Sequence, residues 1–175
     1  LNKYKEGKTN LENRIIDNEQ WFKMRHWEQM RNSKGNEFAS AWLFNSIANK
    51  HADAMDSFPK VNCLPREASD KETANILTEI LSVIFERNDF EKIYSDTWWY
   101  KLKAGTGVYG IFWNPQKQNG LGDIEIKQMN ILNLFWEPGV EDIQDSEYFF
   151  IVNMVPCNVI KAKYPFIKND ISSSG

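Results

Sequence analysis

The sequence predicts an α+β fold, with N-terminal helices followed by an antiparallel β-hairpin and sheet region. Three observations predict it. Apolar residues recur at helical spacing through position 104, residue types turn β-branched and aromatic after Gly105, and strong turn chemistry then separates two extended segments. A chain of 175 residues can bury a real core as one domain or two small ones, and 42% hydrophobic with 26% charged residues is a globular balance that argues against disorder. We read 1–175 as a single α+β region. Residues 1–16 form a loose N-terminal segment, 17–104 are mainly helical, 105–168 are mainly β and 169–175 form a flexible tail.

Asp17 with Gln20 three positions on has the form of a capping box, whose side chains satisfy the orphan amides of a helix start. The helix it opens carries Trp21, Met24, Trp27 and Met30 on a drifting apolar stripe and ends near Gly35. A second helix fits 37–57, with Phe38, Ala41, Trp42, Ile47, Ala48, Ala52 and Met55 roughly on one face. Phe58-Pro59 stops it, because proline disfavours helical geometry in the residue before it. Residues 61–64 are extended and closed by Pro65. A third helix, capped by Ser69 or Asp70, has the best periodicity in the chain, at Ala74, Leu77, Ile80, Leu81 and Ile84. Asn88-Asp89 breaks the chain and caps a fourth helix, whose buried side is Phe90, Ile93, Tyr94 and Trp98.

Beyond Gly105, residues 108–113 read as a strand. Asn114-Pro115 through Gly120-Leu121-Gly122 is turn chemistry, and 123–129 alternates at Ile124 and Ile126, which together predict a hairpin with a long loop. Residues 132–136 are a further extended candidate ending at Glu137-Pro138-Gly139. Residues 148–155 are another strand, and Pro156 opens a last short helix that Tyr164-Pro165 ends.

Charge is unevenly spread. Residues 1–66 hold 11 Lys/Arg against 8 Asp/Glu, 67–175 hold 10 against 16, and within 121–150 seven acids face one base, Lys127. No basic stripe forms, so tight autonomous DNA binding is not indicated. The acidic stretch, with Glu137, Glu141, Asp142, Asp145 and Glu147, lacks the spacing of a calcium loop and reads as a solvated face. Cys63 and Cys157 lack metal-ligand spacing; free thiols fit best, with a disulfide left open. The longest apolar runs are far too short to span a bilayer. The 7 Trp, 6 Tyr and 11 Phe suit a large core or a protein interface equally.

Gly105-Thr-Gly107-Val-Tyr-Gly110 matches G-x-G-x-x-G, but a dinucleotide loop follows a strand and opens a helix. Here a helix precedes and a strand follows. Gly105 therefore reads as a helix C-cap, and Gly107 and Gly110 as close-packing positions. His26 and His51 sit on predicted helices without metal-ligand partners. Asp53 and Asp56 share a helix face, where an inter-subunit or inter-helix salt bridge accounts for them more simply than catalysis does. No serine or cysteine nucleophile has a recognisable base. The residues point to no reaction: no catalytic, cofactor-binding or metal site is assigned.

Longer strings carry more. They begin with Trp-Phe-Lys-Met-Arg-His-Trp-Glu-Gln-Met (21–30), Asn-Lys-His-Ala-Asp-Ala-Met-Asp with Phe-Pro (49–59), and Asn62-Cys-Leu-Pro-Arg-Glu with Asp70. Phe-Glu-Lys-Ile-Tyr-Ser-Asp-Thr-Trp-Trp-Tyr-Lys-Leu-Lys (90–103) and Gly-Thr-Gly-Val-Tyr-Gly-Ile-Phe-Trp-Asn-Pro (105–115) follow. Asn-Gly-Leu-Gly-Asp-Ile (119–124) and Leu-Asn-Leu-Phe-Trp-Glu-Pro-Gly (132–139) complete the series. In this succession they resemble the portal proteins of tailed phages, as found in prophages of gut and other Gram-positive bacteria. The family's layout places an early helix, an extended arm and a second long helix before a glycine-marked strand. A hairpin closing on Gly-Asp-Ile and an aspartate-rich stretch, here 141–145, come after it.

The resemblance implies a structural role for Gly105, Gly107, Gly110, Gly120, Gly122 and Asp123, and a portal wing-like portion whose stem helices and clip would lie in sequence outside these residues. It implies a homo-oligomer, a ring of about twelve subunits at one capsid vertex. It also implies a terminase that pumps DNA through the ring, head–tail connector proteins that dock on it, and capsid and scaffold proteins around it. Double-stranded DNA would pass without sequence-specific binding. The setting is the virion, assembled in the host cytoplasm, with no membrane, no cofactor and no enzymatic activity. Two other readings stay open: a phage-derived metal-dependent nucleic-acid-processing enzyme using the acidic cluster, and an aromatic-rich protein-binding module.

Overall fold

The computed structural model describes residues 2–25 and 40–167. Five α-helices and two two-stranded antiparallel sheets follow one another in the order α1 (Asn2–Phe22), α2 (Trp42–Asp56), α3 (Lys71–Arg87), α4 (Phe90–Ala104), β1 (Val108–Asn114), β2 (Asp123–Met129), β3 (Leu134–Phe135), β4 (Phe150–Ile151) and α5 (Cys157–Lys163). The α+β class holds, with helices first and strands after them.

The N-terminal expectation is corrected. Residues 1–16 do not form a loose segment: α1 begins at Asn2, and Asp17 and Gln20 lie inside it instead of capping a start. The inward stripe of α1 is Tyr4, Lys8, Leu11 and Ile15, at i, i+4, i+7 and i+11. Two of those four positions are polar or amphipathic, so hydrophobic periodicity does not register there, and the helix is held by what it packs on. Gly7 lets α1 approach the 137–139 turn closely; a Cβ there would sit 2.6 Å from Pro138 Cγ. Tyr4 meets Phe150 edge-on at 5.4 Å between ring centroids. The helix ends at Phe22, with Met24 in left-handed geometry at φ 60°, and the expected continuation through Trp27 and Met30 lies outside the described residues.

Helix α4 is the centre of the helical part, in contact with α1, α2, α3 and β2. Ile15, Ala104 and Ile131 are buried together, with Leu11, Tyr100, Leu132 and Trp136 packed around them. Phe22, Phe44 and Trp99 form a second cluster between α1, α2 and α4. Phe58, Phe85, Phe90 and Tyr94 form a third, which Tyr109 joins through Phe90. Much of the aromatic content is thus internal packing, although Trp42 and Trp113 stay 79% and 64% exposed.

Helix α2 starts at Trp42, later than position 37, and Phe38 lies outside the described residues. The core face expected of α3 is also corrected. Ala74 is buried and Leu81, Ile84 and Phe85 are half-buried, but Leu77 and Ile80 are exposed with Ile76 and Val83. The apolar stripe of α3 is wider than the surface it meets. Asp70 and Asp89 occupy the N-cap positions of α3 and α4, yet neither side chain bonds a helix amide, and Asp89 sits in left-handed geometry at φ 51°.

The hairpin forms as expected, from Val108↔Met129 to Asn114↔Asp123. The later strands are shorter than 132–136 and 148–155: only Leu134↔Ile151 and Phe135↔Phe150 pair. Ile131–Asn133 is a turn of 3-10 helix and the chain turns again beyond Phe135, so β3 has no further backbone to offer. Cys63 and Cys157 are both free thiols. Among the described residues no helix is long and apolar enough to cross a membrane.

Candidate functional site: the glycine-marked turn and hairpin

The region bearing the predicted structural residues is built from the end of α4, the hairpin, and the α3–α4 junction that braces it. Helix α4 ends at Gly105, whose φ of 84° and N–H donated to Lys101 O at 2.9 Å make the left-handed C-cap read from the sequence. Nothing lies within 4 Å of where a Cβ would stand, so the conformation alone demands glycine. Gly105→Ala is expected to cost about 1 kcal/mol, and Gly105→Asn less, because asparagine tolerates this geometry better. Urea melts of both variants check this. A phosphate-cradling loop would instead leave stability unchanged and show protection by ATP or NAD.

Gly107 and Gly110 are close-packing positions. A Cβ on Gly107 would meet the Thr97 carbonyl oxygen at 2.8 Å, and one on Gly110 would meet the Phe112 ring at 2.5 Å. The motif therefore joins a helix to a strand, the reverse of a pyrophosphate loop, and its first glycine caps a helix C-terminus, where carbonyls and not amides are left over.

The hairpin loop turns through four consecutive or near-consecutive left-handed residues, Gln118, Asn119, Gly120 and Gly122. Gly122 serves a second purpose, since the Trp113 ring lies where its side chain would be, 2.3 Å from the Cβ position. Asp123 fastens the loop. One carboxylate oxygen accepts the Ile124 N–H at 2.8 Å and the other faces Gln118 and Arg87, each at 3.4 Å. The Ile124 amide chiefly, with Gln118 and Arg87 after it, holds its carboxyl below the usual aspartate range.

Asn88 is the residue that sequence reasoning undervalued. Read as a helix break, it is also the brace of the hairpin: its amide donates to Ile84 O at 2.8 Å and Ile124 O at 3.1 Å. Its carbonyl oxygen accepts from Ile126 N–H at 3.2 Å and from Lys117 Nζ at 3.1 Å. Its sequence signal, an asparagine at a helix break, is shared by any turn.

The remaining candidates do not converge. His51 places Nε2 3.0 Å from Ser95 Oγ and stacks on Trp99 with ring centroids 4.6 Å apart, a packing role; His26 lies outside the described residues. Asp53 and Asp56 are exposed on α2 and make no ion pair among the described residues, so the inter-helix form of the expected salt bridge is absent there. In the acidic stretch, Asp142 caps the Gln144 N–H at 2.9 Å. Among the described residues no three His, Cys, Asp or Glu side chains are grouped to hold a metal ion.

A family model described as phage P22-like portal protein matches residues 52–175, from the second half of α2 through the turn, the hairpin and the acidic stretch. No curated protein matches the chain.

Proposed function

The chain belongs to the phage P22-like portal protein family, and on that premise we propose that it is part of a ring of about twelve subunits at one vertex of a phage capsid. In this reading DNA is driven through the ring by a terminase during packaging and leaves through it at ejection. Head–tail connector proteins dock on it, capsid and scaffold proteins surround it, and assembly takes place in the host cytoplasm. The observation that carries the reading is the family match over the greater part of the chain.

Two features support it. The net charge of −3 with no basic stripe suits a conduit that lets DNA slide, since tight binding needs clustered lysine and arginine against phosphates. The buried apolar core is small, eight residues among those described, while Ile76, Leu77, Ile80 and Val83 expose one side of α3. A subunit that completes its burial against neighbours has this distribution.

Negative-stain microscopy and light scattering on the intact protein are expected to show closed rings. A monomer at high concentration under every salt condition would remove the assembly reading. The same preparation is expected to hydrolyse neither ATP nor DNA with Mg²⁺ or Mn²⁺. Metal-dependent cleavage abolished by Asp142→Asn with Asp145→Asn would make the acidic stretch a nuclease centre.

A further inference from the structure

The two edges of the hairpin differ. On the β2 side, the Asn88 amide bonds Ile124 O and Ile126 N–H, so a side chain occupies the backbone groups that another strand would use. On the β1 side, Val-Tyr-Gly-Ile-Phe-Trp-Asn (108–114) pairs with β2 alone among the described residues and contains no charge and no proline. Ile111 is 70% exposed and Trp113 64%. An apolar edge without lysine, proline or a bulge invites a further strand. A groove of about 340 Å³ is lined by residues 108–112 and Met129 on the hairpin side and by Leu134, Ile143, Gln144, Ser146 and Phe149 on the other.

The same chain holds an incomplete strand. Residues 148–155 have strand-type composition, but β4 is limited to Phe150–Ile151 by the shortness of β3, and the ladder ends with Val152 N–H donated to Asn133 O at 2.9 Å. Residues 153–155 then run on without backbone partners among the described residues. Val152 and Val155 are exposed and Met154 is wholly so.

We infer that these are the two halves of one contact: residues 152–155 of one copy add as a third strand beside β1 of the next. Each supplies what the other lacks. An unpaired row of N–H and C=O groups meets an uncharged segment whose own ladder has run out, and neither β1 nor residues 152–155 carries a charge. Because donor and acceptor are different patches of one chain, the contact is head-to-tail, the kind that closes into a ring and does not stop at a symmetric pair. The inference rests on the ring reading and names a contact within it.

The test uses the intact protein with Cys63→Ser and Cys157→Ser as background, adding Ile111→Cys and Met154→Cys singly and together. Under mild oxidation the doubly substituted protein is expected to give a ladder of disulfide-linked chains extending well past the dimer. Either single variant alone should give no ladder, and a mixture of the two should stop at the dimer. Rings in the microscope without a ladder, or a disulfide formed within one chain, would overturn the contact and leave the ring reading standing. A protein that forms no oligomer would overturn both.

Discussion

Leu134→Ala is expected to cost the fold roughly 3–4 kcal/mol, near the middle of the range for emptying a buried leucine site. Leu134 is 0% exposed and is the one large side chain fully buried among the described residues. It sits where α1, β3 and β4 meet: its backbone pairs with Ile151 and its carbonyl accepts the Lys8 ammonium at 2.7 Å. A core this small has few neighbours able to close over the void. In a domain of this size the loss lowers the melting temperature by about 10 °C. Leu134→Met, which nearly conserves volume, is expected to stay within about 1.5 kcal/mol of the parent. Denaturant melts followed by near-ultraviolet circular dichroism separate the two. An alanine variant as stable as the parent would mean that the junction of α1 with the second sheet is not part of the cooperative core.

Lys8→Met is expected to cost about 2 kcal/mol at neutral pH and to free α1. Lys8 is 5% exposed, donates to the carbonyls of Ile131 and Leu134, faces Glu12 at 3.6 Å and lies 4.2 Å over the Phe135 ring. Hydrogen bonds from a charged donor contribute roughly 1.5–3 kcal/mol each, and methionine forfeits both while being relieved of burying an ammonium. Lys8→Ala, which also loses the packing of the stem, is expected to cost about 3–4 kcal/mol. Burial pushes the Lys8 ammonium below its usual value of 10.5, with Glu12 partly opposing. Between that lowered value and 10.5 the unfolded chain therefore holds more proton than the folded one, so stability through this residue rises with pH and levels off above 10.5. The methionine variant should lack that rise. Trypsin cleavage after Arg14, on the exposed side of α1, should be faster in both variants. Unchanged cleavage would show that α1 is held by its apolar contacts alone.

Lys8, Gly7 and Tyr4 lie outside the family match, yet their partners Ile131, Leu134, Pro138 and Phe150 all lie within it. Local sequence reads α1 as loose because its inward stripe is Tyr, Lys, Leu and Ile in a polar setting. A lysine contributes nothing to an apolar period, and its role exists only once two carbonyls more than a hundred residues away are brought to it. The α3 stripe errs in the opposite direction. Periodicity marks Ala74, Leu77, Ile80, Leu81 and Ile84 as one buried face, but among the described residues α3 leans chiefly on α4, and Leu77 and Ile80 stay outside.

What the sequence determined by itself is what depends on near neighbours along the chain. The end of α4 at Gly105 follows from one residue's freedom to adopt positive φ, and the hairpin from a turn flanked by strand-forming residues. The packing role of Gly107 and Gly110 follows from their place in a helix-to-strand joint, and the portal resemblance from strings in fixed succession. What only the tertiary structure decided depends on distant partners. It set the docking of α1 through Lys8, the bracing of β2 by Asn88 and the halting of β4 after two residues. A strand is as long as the strand beside it: residues 148–155 have the composition for eight, and β3 offers two.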